Sequence, residues 1–141
     1  MKQECVCDWM TEDVITITPD TTLKEAHEIM NEKGIRRLPV LRNGKIVGIV
    51  TLGDIRGAEP SRASSLSIWE VHHLLAKLKA SEIMTRNPVT IQKNASIGDA
   101  AKLMLEKKFS GLPVVDDENH LVGIITESDI FRLVVNEWHR D

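Results

Sequence analysis

The stretch Gly48-Ile49-Val50-Thr51-Leu52-Gly53-Asp54 recurs later in the chain as Gly123-Ile124-Ile125-Thr126-Glu127-Ser128-Asp129. In each copy an apolar run rich in β-branched residues, which is typical of a buried strand, leads into a Thr-x-x-Asp spacing, which is typical of a helix start. A strand that passes directly into a helix at two matching places indicates that the chain is built from two related units.

The similarity extends well beyond this stretch. Residues 10–41 align with residues 84–115 at an offset of 74 positions, which becomes 75 after a one-residue insertion near Glu118. Leu38-Pro39-Val40 matches Leu112-Pro113-Val114, and Met10-Thr11 matches Met84-Thr85. We therefore divide the chain into an N-terminal segment (1–8), a first repeat (9–58), a linker with a helix (59–80) and a second repeat (81–141).

Each repeat has the pattern strand, helix, strand, turn, strand, helix. For the first repeat we predict, in order, a strand over residues 14–18, a helix from the Thr22-x-x-Glu25 capping box to Gly34, a strand over 38–41, an Asn43-Gly44 turn, a strand over 46–51 and a helix beginning near Thr51. For the second repeat we predict a helix from Ser96-x-x-Asp99, a strand over Gly111–Val115, a turn over 116–120, a strand over Leu121–Thr126 and a helix beginning near Ser128.

The fold class is therefore α/β (α+β), with two small sheets. Because each repeat alone would expose one apolar sheet face, we expect the two sheets to pack together.

The linker combines a polar loop over residues 59–65 with a helix that the Ser67-x-x-Glu70 spacing opens. Its apolar residues fall on one helical stripe, namely Ile68, Val71, Leu74, Leu75 and Leu78. We expect a connecting helix that covers the module or a subunit interface. The adjacent His72 and His73 point about 100° apart on such a helix, which argues against a shared catalytic or metal role.

Composition excludes several classes of protein. The net charge of -3 gives no reason to expect nucleic acid, and no apolar run approaches the length of a membrane span. The N-terminus has no signal-like apolar run, so we expect a cytoplasmic protein. Cys5 and Cys7 are expected to be ordinary surface cysteines rather than a disulfide or part of a metal site, and no metal site is predicted.

The two repeats resemble CBS (cystathionine-β-synthase-type) domains. The quoted stretches are similar to the Gly-x-x-Thr/Ser-x-x-Asp signature of that family, the Leu-Pro-Val segments to its central strand, and the Met-Thr pairs to its opening. Residues 64–70 of the linker also resemble stand-alone, acetoin-utilisation-like CBS proteins. The resemblance implies two βαββα units packed sheet to sheet about a pseudo-twofold axis, with two clefts that bind an adenine nucleotide and no cofactor beyond it.

The resemblance also implies which residues line each cleft. The first cleft combines the second signature with part of the first repeat, namely Thr126, Ser128 and Asp129 with Thr11, Val14, Ile15, Arg36 and Arg37. The second, weaker cleft combines the first signature with the second repeat, namely Thr51, Gly53 and Asp54 with Thr85, Pro88, Val89, Ser110 and Gly111.

The chemistry of these residues leaves two interpretations open. An ionised Asp accepts hydrogen bonds from both hydroxyls of a ribose, and arginine binds phosphate well. Equally, Thr51 with Asp54 and Thr126 with Asp129 fit a helix-capping box. Arg36 and Arg37 fit either a phosphate contact or solvated surface residues that pair with Glu32 or Asp54.

We expect a regulatory module rather than an enzyme, since no catalytic motif is present. The arginine pair favours AMP, ADP or ATP over S-adenosylmethionine. The module would signal to a separate effector protein by a conformational change, because no output domain is seen in the sequence. The alternative is a dimerisation or docking module with vestigial clefts. The resemblance implies a twofold homodimer in which apolar helix stripes pack together, such as that of the closing helix (Ile130, Phe131, Leu133 and Val134), next to Trp138.

Overall fold

Each repeat contains the predicted order of helix, strand, turn, strand and helix. The computed structural model describes residues 4–59 and 67–139. Its elements are, in chain order, α1 (Val6–Trp9), α2 (Leu23–Lys33), β1 (Arg37–Arg42), β2 (Lys45–Thr51), α3 (Leu52–Ala58), α4 (Ile68–Lys77), α5 (Ala80–Ile83), β3 (Thr85–Arg86), β4 (Ile91–Gln92), α6 (Ile97–Lys107), β5 (Gly111–Val115), β6 (Leu121–Thr126) and α7 (Glu127–Trp138).

Two compact units divide the chain differently from the sequence repeats. One consists of Ile15–Pro88, here called unit 2, and the other of Met1–Val14 together with Val89–Asp141, here called unit 1. Each holds one three-stranded sheet, in the order β1-β2-β3 in unit 2 and β4-β5-β6 in unit 1. The predicted mixed α/β class with two small sheets is confirmed.

An antiparallel hairpin forms the centre of each sheet. In unit 2, β1 and β2 pair across a turn in which Asn43 and Gly44 have φ of 54° and 79°. Such left-handed angles at both central residues characterise the type I′ turn that Asn-Gly favours. In unit 1, β5 and β6 pair across the turn at residues 116–120, where the amides of Glu118 and His120 both donate to Asp116 Oδ1. The backbone hydrogen bond from His120 is the main cause of a lowered pKa at Asp116.

The long helices begin at the predicted caps. Thr22 and Glu25 form a complete capping box at the start of α2, and the Ser96 hydroxyl accepts from the Asp99 amide at the start of α6. Gly34 ends α2 in the left-handed conformation, and Lys108 ends α6 in the same conformation without being glycine.

In each unit two helices pack their apolar faces on the sheet, α2 and α3 in unit 2 and α6 and α7 in unit 1. The core of unit 2 contains Ile17, Ala26, Met30, Leu38, Val40, Val50, Ile55 and Ala80. The core of unit 1 contains Val6, Ile91, Ile97, Ala100, Met104, Leu112, Val114, Ile125 and Leu133.

The N-terminal segment is part of unit 1 and packs on the second repeat. Val6 is fully buried in the unit 1 core, and its amide donates to the Ala95 carbonyl at 2.9 Å. Further along, Thr11 and Ile124 exchange two backbone hydrogen bonds of 2.9 Å. In unit 2 the opening of the second repeat behaves likewise, because Thr85 pairs with Ile49 of β2. Each Met-Thr opening therefore lies on the signature strand of the other repeat.

The signature glycines, Gly48 and Gly123, let the Met-Thr openings pass close to the signature strands. A Cβ at Gly123 would lie 2.9 Å from the Thr11 carbonyl oxygen and 2.6 Å from Met10 Sδ. A Cβ at Gly48 would lie 3.1 Å from the Thr85 carbonyl oxygen. Only glycine lets the opening segment approach each strand so closely, since ordinary contacts need more space.

The predicted strand over residues 14–18 is wrong. Only Ile17 pairs there, in a parallel bridge with Val40, through hydrogen bonds from the Ile17 amide to Pro39 and from the Leu41 amide to Ile17. The Val14 amide instead turns back to Glu12, and the Thr18 amide donates to the Thr21 hydroxyl. Local turns at both ends therefore limit the β-branched run to one bridge. The matching run in the second repeat forms the two-residue β4.

The expectation that Cys5 and Cys7 are ordinary surface cysteines is also wrong. The two residues are joined by a disulfide, and both are half-buried. Cys5 is the N-cap of α1, and the start of that helix brings the two Cα atoms to 5.2 Å, which lies within the range that a disulfide spans.

The linker forms the predicted helix α4. The Ser67 hydroxyl accepts from the Glu70 amide, and Leu75 is the buried member of the apolar stripe. His72 and His73 are both exposed, as are Ile68 and Trp69. The predicted loop at 59–65 and the acetoin-utilisation-like residues 64–66 lie outside the described residues, except for Glu59, which follows α3. Among the residues that the structure describes, no helix is both long and apolar enough to cross a membrane.

Replacing Gly123 by alanine should destabilise the protein by about 1–3 kcal/mol, because the new methyl group would press on the Thr11 backbone. Urea denaturation measures the effect. Gly57→Ala is the matched control, since a Cβ there meets nothing within 4 Å and α3 favours alanine. Equal stabilities for the two variants would contradict the close crossing.

Candidate functional site

The first signature sits where β2 passes directly into α3. The Thr51 amide donates to Asp54 Oδ2 at 2.8 Å, and the Asp54 amide donates to the Thr51 hydroxyl at 3.1 Å. This is the reciprocal capping box that the spacing allows. Both residues are half-buried, and within the described residues Asp54 Oδ1 takes no hydrogen bond. Helix capping at Asp54 therefore leaves one carboxylate oxygen for another donor.

The second signature has a different carboxylate. Asp129 Oδ2 accepts from the Thr126 amide at 2.8 Å and from the Thr126 hydroxyl at 3.1 Å, while Asp129 Oδ1 accepts from the Arg132 guanidinium. Asp129 is only 1% exposed, whereas the Arg132 side chain is 61% exposed. Both oxygens of Asp129 are therefore occupied by neighbours in α7 and at its cap.

Each Met-Thr opening lies in the same unit as the signature with which the sequence groups it. In unit 1, Thr11 bridges to Ile124 two residues before Thr126, and Val14 belongs to the same unit as the exposed Ser128. In unit 2, Thr85 pairs with Ile49 two residues before Thr51. The remaining members of these groups, Asp129 in unit 1 and Gly53, Asp54 and Pro88 in unit 2, share the unit of their signature.

Strand register decides the neighbours of each threonine. Arg37 pairs with Thr51 across the β1–β2 hairpin, and the Leu52 amide donates to the Arg36 carbonyl at 2.8 Å. Correspondingly, Gly111 pairs with Thr126, and the Glu127 amide donates to the Ser110 carbonyl at 3.0 Å. The arginine pair thus lies next to the first signature, and the Ser-Gly pair next to the second.

The sequence assigns these pairs crosswise, each to the cleft of the other signature. Ile15, Arg36 and Arg37 lie in unit 2 while Thr126 lies in unit 1, and Val89, Ser110 and Gly111 lie in unit 1 while Thr51 lies in unit 2. A site that combines residues of both units stays a prediction.

Unit 2 also has a pocket of about 290 Å³ beside the first signature. It is lined by Arg36, Arg37, Thr51, Leu52, Gly53 and Arg56.

The sequence gives only weak indications that Arg56 and Arg132 lie at these signatures. Arg56 joins the pocket because it lies one helical turn after Leu52 in α3, a spacing that places both on one face. Arg132 reaches Asp129 through its i,i+3 position in α7. The spacing is visible in the sequence, but it is common to many helix pairs and does not indicate a site by itself.

A family model described as "CBS domain" matches residues 6–61 and 80–136 of the chain. The CBS domain-containing protein DDB_G0289609 of Dictyostelium discoideum is 39% identical over 127 residues, which cover 89% of this chain and 88% of that protein. The uncharacterized protein MJ1225 of Methanocaldococcus jannaschii is 38% identical over 130 residues, covering 88% of this chain. The chain spans less than half of MJ1225, with 46% of that protein matched.

Solved structures have the same fold. CBSX2 of Arabidopsis thaliana, crystallised in complex with AMP, superposes with a TM-score of 0.81 at 29% identity, covering 96% of this chain and 99% of that one. The CBS domain pair of protein MJ0100, in complex with 5′-methylthioadenosine and S-adenosyl-L-methionine, superposes with a TM-score of 0.75 at 33% identity, covering 94% and 97%.

A third structure bears on the narrower resemblance seen in the linker. AcuB of Vibrio cholerae, named for acetoin utilization, superposes with a TM-score of 0.77 at 30% identity, covering 95% of this chain and 92% of that one.

Asp129→Asn should lower the free energy of unfolding by about 1–3 kcal/mol, because it removes the charge of a buried carboxylate that accepts hydrogen bonds from Thr126 and Arg132. Asp54→Asn should cost about 1 kcal/mol or less, because the Asn amide oxygen can still accept from the Thr51 amide and Asp54 has no hydrogen bond from an arginine in the described residues. A double-mutant cycle of Asp129→Asn with Arg132→Gln, followed by urea denaturation, isolates the contact. Additive effects in that cycle would mean that the ion pair contributes nothing to stability.

Proposed function

The chain belongs to the CBS domain family, and on that premise we propose that it is a regulatory module that binds an adenine nucleotide (AMP, ADP or ATP) through its two signatures. Binding changes the conformation that the module presents to a separate effector protein. Catalysis is not part of this role. The ligand shifts the balance between conformations only by as much as it prefers one of them.

The observation that carries the proposal is the geometry of the first signature. Its Asp54 carboxylate has one oxygen in the helix cap and another without a donor in the described residues, beside a pocket with arginines. A carboxylate of this kind accepts the hydroxyls of a ribose, and guanidinium groups bind phosphate oxygens in a bidentate way. A nucleoside phosphate offers ribose hydroxyls to a carboxylate and phosphate oxygens to guanidinium groups.

The comparisons add support of a different kind. CBSX2 was crystallised with AMP, and the MJ0100 pair with 5′-methylthioadenosine and S-adenosyl-L-methionine, so both proteins bind an adenosyl group. S-adenosylmethionine has no phosphate, and its one carboxylate is offset by an ammonium and a sulfonium group, so it offers Arg36 and Arg37 less negative charge than a nucleotide does. We therefore propose that S-adenosylmethionine binds more weakly than AMP, ADP or ATP.

We further propose that residues of both repeats hold each nucleotide, in the two combinations that the sequence predicts. In one, Thr126, Ser128 and Asp129 act with residues of the first repeat. In the other, Thr51, Gly53 and Asp54 act with residues of the second.

Thermal denaturation with millimolar AMP, ATP or S-adenosylmethionine tests the proposal. A ligand that binds only the native state at about 100 times its Kd adds about 2.7 kcal/mol of stability. The midpoint should therefore rise by several degrees with a nucleotide. A variant that lacks a ribose-binding carboxylate should show a smaller rise. If one aspartate contacts the ribose, either Asp54→Ala or Asp129→Ala has this effect; if each aspartate contacts a nucleotide, both variants have it.

Asp117→Ala is the control, because Asp117 is an exposed aspartate in the turn of unit 1. It should leave the ligand-induced rise intact. If no adenine compound raises the midpoint, or if all three variants lower the rise equally, the nucleotide proposal is wrong and the signatures serve as helix caps.

A second role is favoured by the surface of unit 1. Large apolar side chains stay exposed on α6 (Leu105), just after it (Phe109) and on α7 (Phe131, Val135 and Trp138). Phe131, Val135 and Trp138 follow one another at helical spacing along α7, so they form one stripe. An exposed stripe of this kind is typical of an interaction surface. We propose that it joins two copies of the chain in a homodimer about a twofold axis.

Sedimentation velocity of Phe131→Glu tests the dimer. The charge should shift the protein from dimer to monomer, because one twofold interface would contain the new carboxylate twice. Trp69→Glu is the matched control, since Trp69 is also an exposed aromatic residue but lies on α4 in unit 2. A wild-type protein that sediments as a monomer at high concentration would refute this role.

A further inference from the structure

Three side chains that can ligate a metal ion come together at the start of α1, namely Cys5, Cys7 and Asp8. One ligand atom from each, two sulfurs and one carboxylate oxygen, lies within 4.8 Å of the other two. Cys7 Sγ is 3.9 Å from Asp8 Oδ1. Both cysteines are half-buried and Asp8 is exposed, so an ion in solvent can reach the group from the side of the carboxylate.

Backbone contacts with the second repeat hold this segment in addition to the disulfide. The Val6 amide donates to the Ala95 carbonyl at 2.9 Å, and the Cys7 amide donates to the Lys93 carbonyl at 3.2 Å. Val6 is fully buried in the core of unit 1. The backbone positions of the two cysteines therefore do not depend on the disulfide alone, and the ligands stay close together when it is opened.

The spacing of the two cysteines suits one metal ion as well as a disulfide. Zn–S bonds are about 2.3 Å long, so two sulfurs on one tetrahedral ion lie about 3.8 Å apart. The Cα atoms of Cys5 and Cys7 are 5.2 Å apart, and rotation of the side chains alone brings the sulfurs to that separation. The Cys7 amide also donates to Cys5 Sγ at 3.3 Å, and a hydrogen bond of this kind orients and stabilises a metal-bound thiolate.

The ligand types select the kind of cation. Thiolates favour Zn²⁺ and other thiophilic ions, whereas Mg²⁺ and Ca²⁺ require a shell of oxygen atoms. With both thiols ionised, the three ligands carry three negative charges in a small space, and a divalent cation offsets two of them. Three protein ligands leave the fourth tetrahedral position to water.

We propose that Cys5, Cys7 and Asp8 bind one thiophilic divalent cation, such as Zn²⁺, when the disulfide is reduced. A dithiol reductant supplies two electrons and two protons to the cysteine sulfurs and closes to its own disulfide. The cation then displaces the two thiol protons. Metal and disulfide exclude each other, because the disulfide contains no thiolate. The inference goes beyond the proposed function and does not depend on nucleotide binding.

Titration of the reduced full chain with Zn²⁺ against a chromogenic chelator, without oxygen, tests the site. We expect one tightly bound ion per chain, and with Co²⁺ an intense thiolate-to-cobalt charge-transfer band. Cys5→Ser and Cys7→Ser should each abolish tight binding and weaken the band. Cys5 is the N-cap of α1 and serine caps helices well, so a loss in Cys5→Ser would not reflect unfolding.

Asp8→Asn tests the carboxylate ligand. It should weaken Zn²⁺ binding by at least about tenfold, equivalent to about 1.4 kcal/mol. Asp13→Asn is the matched control, since Asp13 is an exposed aspartate further along the same segment and does not belong to the ligand group. It removes the same charge and should leave the affinity unchanged.

Oxidised glutathione added to the zinc-loaded protein should release the ion, because it takes two electrons from the thiolates and the disulfide forms again. Zn²⁺ binding that survives Cys7→Ser would belong to other groups, such as the exposed His72 and His73, and would overturn the inference. Absence of the charge-transfer band, equal effects of Asp8→Asn and Asp13→Asn, or an ion retained after oxidation would overturn it as well. All these measurements are made without a nucleotide, so their failure would leave the nucleotide proposal standing.

Discussion

Two backbone hydrogen bonds between Thr11 and Ile124 tie the N-terminal segment to the second repeat. They form only because Gly123 has no side chain at the crossing, where a Cβ would meet the Thr11 carbonyl oxygen. Together with the hydrogen bond from the Val6 amide to the Ala95 carbonyl, they hold the segment before Val14 on the second repeat, with Val6 in the core of unit 1. Gly48 and Thr85 repeat the arrangement in unit 2.

At a signature aspartate, helix capping does not by itself occupy the whole carboxylate. A carboxylate has two oxygens, and the cap at Asp54 uses one of them. At Asp129 an arginine one turn later uses the second oxygen as well. A difference of one side chain, Arg132 in place of Gly57, thus gives two similar junctions different capacities for a further donor. The three arginines beside Thr51 increase this asymmetry between the repeats.

Local chemistry made much of the fold predictable from the sequence. The tight hairpin turn requires a left-handed backbone at both central residues, and Asn43-Gly44 adopts it readily. The Thr-x-x-Glu and Ser-x-x-Asp spacings supply caps at the observed helix starts. The errors occur where the neighbours of a segment decide its structure. Residues 14–18 have the composition of a strand, but turns at Val14 and Thr18 leave a single bridge at Ile17. The pairing of Cys5 with Cys7 depends on a helix too short to have a clear sequence signal.

The sequence alone was enough to identify the two repeats, most of their order of elements, the capping boxes and the family, because each of these depends on residues close together in the chain. Only the tertiary structure decided that the Met-Thr openings lie on signature strands far away in sequence, and that Arg36, Arg37 and Arg56 meet at one pocket. The physical reason is that strand register and backbone crossings are set by hydrogen bonds between distant residues. A two-residue pairing such as Thr11 with Ile124 has no periodicity from which a sequence could reveal it.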